Sequence, residues 1–234
     1  MSAGATHEPH APSSATPTRP LRIACLASGG GTTVMNLADR IQRGELPAEI
    51  VLVAATRPGV PALSKAAARG IPTAEVLPSG ASGDTGASRP ARADGARFDH
   101  ELADRLDAAL RAARPDLICL CGYLRLFRVG EWAGRVINIH PGPLPRFGGK
   151  GMYGIRVHRA VLDAGLRETA CCVHLVDDEY DHGPVLASRG VPIRLDDTAA
   201  SLDERVRDAE RELLPETLRR IATGALTLPG ARLS

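Results

Sequence analysis

Three short, almost uninterrupted apolar runs constrain this chain most: residues 21–27 (LRIACLA), 49–56 (EIVLVAAT) and 117–121 (LICLC). A strand built from such a run has no polar face to offer water, so it must be covered on both sides. The stretches between them are longer and amphipathic. Residues 33–43 place Val34, Leu37, Ala38 and Ile41 on one helical face, and residues 60–69 form a second helix that stops at Gly70. Residues 98–114 repeat Leu102, Leu106 and Leu110 at helical spacing. Residues 73–77, 135–139, 170–176 and 185–193 read as further strands, and 157–164 and 199–222 as further helices. Continuous apolar strands separated by helices predict an α/β fold, doubly wound, with a mostly parallel sheet and helices on both faces. One domain is expected over residues 21–234.

Composition removes several function classes. The 29 basic and 27 acidic residues nearly cancel, and aromatics make up only 3%, so neither a polybasic nucleic-acid arm nor a base-stacking platform is expected. No apolar window approaches the ~20 residues that span a bilayer. The five cysteines are odd in number and lack CxxC spacing, which fits a reduced, cytoplasmic protein and offers no metal site. Residues 1–20 are biased to Ala, Pro, Ser and Thr and read as a disordered leader. Residues 78–96, rich in Gly, Ser, Ala and Arg, read as a long surface loop.

In open α/β sheets ligands gather beyond the strand ends, and three segments there carry polar residues. The first is Ser28-Gly29-Gly30-Gly31-Thr32-Thr33, between a strand and a helix. It is either a phosphate cradle, with backbone amides and a helix start facing the anion, or simply a tight turn. The second is Asn138-Ile139-His140-Pro141, where strand alternation puts Asn138 and His140 on one side. An amide and an imidazole pointing together can hold an oxyanion and move a proton, although either alone can be a structural hydrogen-bonder. The third is the acidic loop 177–184, in which Asp177 and Asp178 read as a solvated turn and Asp181 as a carboxylate able to reach an imidazole. Cys171, Cys172 and His174 read as core and strand-edge residues, and His158 as a surface or capping residue. Arg125 is equally a ligand or an ion-pair residue, and Lys150 is equally an anion partner or a surface lysine.

SGGGTT, GYLRLF (residues 122–127), NIHPGPLPRF (138–147) and EYDHGP (179–184) occur in the order seen in folate-dependent formyltransferases, and the chain resembles that family from residue 21 to 228. The resemblance implies a Rossmann-like formyltransferase domain and transfer of a formyl group from 10-formyltetrahydrofolate to the amine of glycinamide ribonucleotide, in purine synthesis. It implies a catalytic trio of Asn138, His140 and Asp181 and no metal. Substrate phosphate would lie on Gly31, Thr32 and Thr33, and the substrate amine near Glu210, which by itself reads as part of a solvated helix face. Folate would lie against Tyr123, Leu124, Arg125, Leu126 and Phe127, against the 176–181 loop, and with its formyl carbon at Asn138. An arginine toward the folate glutamate would be Arg92 or Arg97. Loop 148–154 is longer than the form usual in the family. The expected partners are small-molecule substrates, with neither nucleic acid nor membrane, and the chain acting as a monomer or homodimer. The alternatives are a formyltetrahydrofolate hydrolase or another folate-dependent N-formyltransferase, both usually carrying a further domain, and a non-catalytic nucleotide- or folate-binding module.

Overall fold

The computed structural model describes residues 19–78 and 99–229. The leader before Arg19, most of the 78–96 stretch, and Arg92 and Arg97 lie outside the described residues. The elements run β1 (Leu21–Leu26), α1 (Thr32–Gln42), β2 (Ala48–Ala55), α2 (Pro61–Ala67), β3 (Thr73–Glu75), α3 (His100–Ala113), β4 (Leu117–Leu120), β5 (Val136–His140), α4 (Ile155–Asp163), β6 (Glu168–Leu175), β7 (Val185–Pro192) and α5 (Ala199–Ala222). They build one seven-stranded sheet in the order β3-β2-β1-β4-β5-β6-β7. Its first five strands are parallel, whereas β6 and β7 run antiparallel to their neighbours. The mostly parallel α/β reading therefore holds, with an antiparallel margin.

Alternation along β1 sends Ile23 and Cys25 into one core and Ala24 and Leu26 into the other. The first core is roofed by α1, α2, α4 and α5; the second holds the Leu102, Leu106 and Leu110 stripe of α3, together with Phe127 and Trp132. Burying both faces explains why the β1, β2 and β4 sequences contain almost nothing polar. The Asp99 side chain caps α3 by accepting from the Leu102 amide at 3.1 Å.

Two further contacts tie the fold together. Pro215 lies inside α5 and cannot donate to the carbonyl one turn back, at Arg211. Asn36 of α1 donates to that carbonyl at 2.8 Å, which fastens the helix after the glycine loop to the helix bearing Glu210. At the opposite end Arg19 makes a bidentate pair with Asp116 at 2.7 and 2.8 Å, which fastens the segment just before β1 to the start of β4. No helix among the described residues is long and apolar enough to cross a membrane.

Candidate active site

The antiparallel pairing of β5 with β6 sets His174 opposite Asn138 and Cys172 opposite His140. Asn138 and His140 share a strand face, as alternation requires, and the β6–β7 connection folds back to bring Asp181 to them. Asn138 Nδ2 donates to Asp181 Oδ1 at 3.3 Å and lies 3.0 Å from His174 Nε2. His140 Nδ1 is 3.4 Å from Asp181 Oδ2, and its Nε2–H donates to the Phe147 carbonyl at 2.8 Å. Both nitrogens of His140 thus face acceptors, an arrangement an imidazolium satisfies completely. The ring is only 3% exposed.

Asp181 adopts φ +54°, a left-handed conformation uncommon outside glycine, to aim its carboxylate into this cluster. Burial pushes that carboxyl up, but the His140 and His174 rings beside it and the hydrogen bond from the Gly149 amide outweigh burial and hold the group well below the usual carboxylate range. Sequence reasoning suggested that Asp181 reaches an imidazole, and it reaches two. Its chain neighbour His182 is exposed and pairs instead with Asp177 at 2.8 Å. Asp178 also departs from a purely solvated turn, accepting from the Val129 amide at 3.4 Å.

His174 is buried as expected but belongs to the site: its Nδ1–H donates to the Leu175 carbonyl at 2.8 Å, leaving Nε2 toward Asn138 and Asp181. Its partner strand is far away in sequence, so nothing local distinguished it from a core histidine. His158 is corrected more sharply. It is fully buried, not on the surface, with Nε2 3.1 Å from Asp203.

The glycine loop sits where the helix start leaves amides to spare. Gly31 caps α1 at φ +73°, no side chain caps the helix, and its first turn has no acidic residue. The Lys65 ammonium donates to the Gly30 carbonyl at 2.8 Å, and Arg57 donates to the Ser28 carbonyl. Thr32 is exposed and Thr33 partly so. Ser28 also stitches this loop to the next segment, its amide donating to Gly122 and its hydroxyl accepting from the Leu124 amide, both at 3.2 Å. Within that segment Leu124 and Arg125 are exposed, and Tyr123 and Leu126 are partly buried. Phe127 is packed into the second core, so its ring offers no surface to a ligand.

Glu210 is partly buried and has no hydrogen-bond partner among the described residues. Burial pushes its carboxyl up to about 7 against the pull of nearby His140, with Asp203 adding to the rise. The default reading of a solvated helix face therefore does not hold. A carboxyl raised in the folded state favours folding at low pH and loses that contribution as pH climbs toward 7. Glu210→Gln, which cannot ionise, is expected to melt several degrees above the wild type at pH 8 and level with it near pH 4.5. Thermal melts at the two pH values check this.

Residues 21–218 match a family model described as "Formyl transferase". The chain is 35% identical over 212 residues to the trifunctional purine biosynthetic protein adenosine-3 of Gallus gallus, covering 89% of this chain and 19% of that protein. It spans about a fifth of the length of such relatives. It is 33% identical over 218 residues to the chloroplastic phosphoribosylglycinamide formyltransferase of Arabidopsis thaliana, covering 92% of this chain and 67% of that one. The crystal structure of phosphoribosylglycinamide formyltransferase from Brucella melitensis superposes with a TM-score of 0.72 at 36% identity, covering 90% of this chain and all of that one.

Proposed function

The chain belongs to the formyl transferase family, and from that premise we propose that it moves a formyl group from 10-formyltetrahydrofolate to the amine of glycinamide ribonucleotide in purine biosynthesis. The observation that carries this reading is the convergence of Asn138, His140 and Asp181, with the carboxylate 3.3 Å from the amide and 3.4 Å from the imidazole.

In this reaction the amine nitrogen bonds to the formyl carbon, the carbonyl oxygen gathers negative charge, and the bond from that carbon to the folate nitrogen then breaks. Asn138 donates to the oxyanion. His140, held as an imidazolium between Asp181 and the Phe147 carbonyl, sets its positive charge beside that oxygen. A preorganised donor such as Asn138 is worth about 3 kcal/mol in acyl transfer. The Asp181–His140 pair passes a proton from the attacking amine to the departing folate nitrogen. Glu210, whose proton affinity lies near neutrality, takes the first proton from the ammonium form of the substrate, freeing the lone pair that attacks.

The substrate phosphate sits on the amides of Gly31, Thr32 and Thr33, with the α1 macrodipole behind them. Folate lies along Tyr123, Leu124, Arg125 and Leu126 and beneath the loop that carries Asp181. The five unpaired cysteines support a reducing compartment such as the cytoplasm.

The test is a formyl-transfer assay with the purified protein, offering glycinamide ribonucleotide, water and a sugar-nucleotide amine as acceptors. Turnover is expected with the ribonucleotide far above the other two. Preference for water would assign a hydrolase, and preference for the sugar amine another N-formyltransferase. Tight folate binding without turnover on any acceptor would assign a binding module.

A further inference from the structure

The turn at residues 147–149 stands in an unusual relation to the two titratable residues of the site. The Phe147 carbonyl accepts from His140 Nε2 at 2.8 Å, and the Gly149 amide donates to Asp181 Oδ2 at 3.0 Å. That same carboxylate oxygen is 3.4 Å from His140 Nδ1, which closes a ring of contacts: imidazole, Phe147 carbonyl, Gly149 amide, carboxylate and back to imidazole. The turn is itself fixed. The amides of Phe147 and Gly148 donate to Pro143 and Pro145 at 3.1 and 3.3 Å, and the Phe147 side chain is buried.

Between the two contact-making residues lies Gly148. Its backbone is not in the left-handed region, so its conformation alone does not demand glycine. The space around it does. A Cβ there would stand 2.5 Å from Leu144 Cδ2 and 2.8 Å from Asp181 Cβ, with the Asp181 carbonyl at 3.5 Å. The Leu144 methyl ends a flexible side chain and can move aside. The Asp181 Cβ is anchored to a backbone that already holds φ +54° and has little freedom to give.

We propose that the 147–149 turn is a backbone clamp that positions His140 against Asp181, and that Gly148 is the positioning residue whose missing side chain lets the clamp close on Asp181. The proposal rests on the reading above that this pair serves formyl transfer. It gives the turn after Phe147 a function carried by main-chain atoms. Gly148 touches no reacting atom. It acts through Asp181, and a displacement of about 1 Å at a catalytic group can cost on the order of 100-fold in rate.

The experiment compares the wild type with Gly148→Ala, Leu144→Ala and the double variant Leu144→Ala/Gly148→Ala. Each is assayed for kcat and for KM of both substrates, and NMR follows the His140 imidazole proton held by the Phe147 carbonyl. Gly148→Ala is expected to lower kcat by about 10- to 100-fold, to leave both KM values within a few-fold, and to lose the exchange-protected imidazole proton. Leu144→Ala alone is expected to stay near wild type. The double variant removes the closer of the two clashes, so it folds even where the single variant does not, and it is expected to remain as slow as Gly148→Ala.

Recovery of kcat in the double variant would overturn the proposal, because Gly148 would then merely make room for Leu144. So would a Gly148→Ala enzyme of normal kcat with raised KM, or one that keeps the protected proton. The imidazole signal reads the clamp independently of turnover. A wild type that shows the proton, and loses it in Gly148→Ala, yet does not formylate the ribonucleotide, would retain the clamp and reject the assigned reaction instead.

Discussion

Asp181→Asn is expected to lower kcat for formyl transfer by about 10²- to 10⁴-fold, the range contributed by a positioned proton-transfer group, while the protein keeps its fold. Asparagine is among the few residues that tolerate the left-handed backbone found here at φ +54°, and its amide oxygen can still accept from Gly149. What it removes is the negative charge that supports an imidazolium at His140. His140→Ala is expected to lose as much activity but to be less stable than Asp181→Asn. It empties a site only 3% exposed and leaves the Phe147 carbonyl without its donor, a loss of about 1–3 kcal/mol for a buried polar group. Steady-state kinetics with thermal melts on the two variants separates these effects. Turnover within a few-fold of wild type in Asp181→Asn would remove the carboxylate from the mechanism. The charge also predicts acid behaviour. The depressed Asp181 contributes stability above the ordinary carboxylate range and loses it as pH falls through and below that range. Asp181→Asn should therefore show a shallower acid-denaturation curve than wild type.

Gly31→Val is expected to destabilise the protein by roughly 3 kcal/mol or more, on two counts that add. Valine is a genuine outlier at φ +73°. Its Cβ would also stand 2.7 Å from Ala62 Cβ and 2.8 Å from Ala62 Cα, the second being main chain that cannot rotate away. For a chain of this size that corresponds to a fall in Tm of about 6–12 °C. A Tm within two degrees of wild type would show that α1 and α2 can part without cost. The same contact makes Gly31→Val a poor kinetic probe of phosphate binding, since it also disturbs helix packing. Gly30→Ala is the better one. A Cβ there meets nothing within 4 Å, so a raised KM for the ribonucleotide at unchanged Tm would report on the anion site alone.

Most of the fold was legible because it is written in local periodicity. The leucine stripe of α3 and the apolar runs of β1, β2 and β4 each declare their burial within ten residues or so, and α5 was readable over its full length despite Pro215. The turn of the sheet to antiparallel after β5 was not, since strand direction depends on which strand lies beside which. That single hidden fact also concealed His174, which enters the site only because β6 runs past β5 the other way. Asn138 and His140 could be paired from alternation. Asp181 could be suspected from its loop, but its true partners lie 41 and seven residues upstream, whereas the adjacent His182 points to Asp177. Glu210 drew notice only through family resemblance, because a charged residue on a charged helix carries no local mark of burial. The contribution of Phe147 and Gly149 is made by a carbonyl and an amide that every residue type possesses, so no side-chain pattern could announce it.

The cysteines have a practical meaning. All five are buried, and burial pushes the thiol of Cys119 well above its usual range, raises that of Cys172, and lifts that of Cys171 to about 12. Contact with Cys25, and after it burial, pushes the Cys121 thiol well above its usual range. Maleimides and other thiolate-seeking reagents need both access and an ionised sulfur, and this fold withholds access from every native thiol. The unaltered protein is thus a chemically silent background. A cysteine placed at Leu195, which stands fully out in solvent, or at Tyr153 on the loop that continues from the clamp, would take a fluorophore or spin label selectively. Loop motion could then be followed during turnover without first stripping the native cysteines from the core.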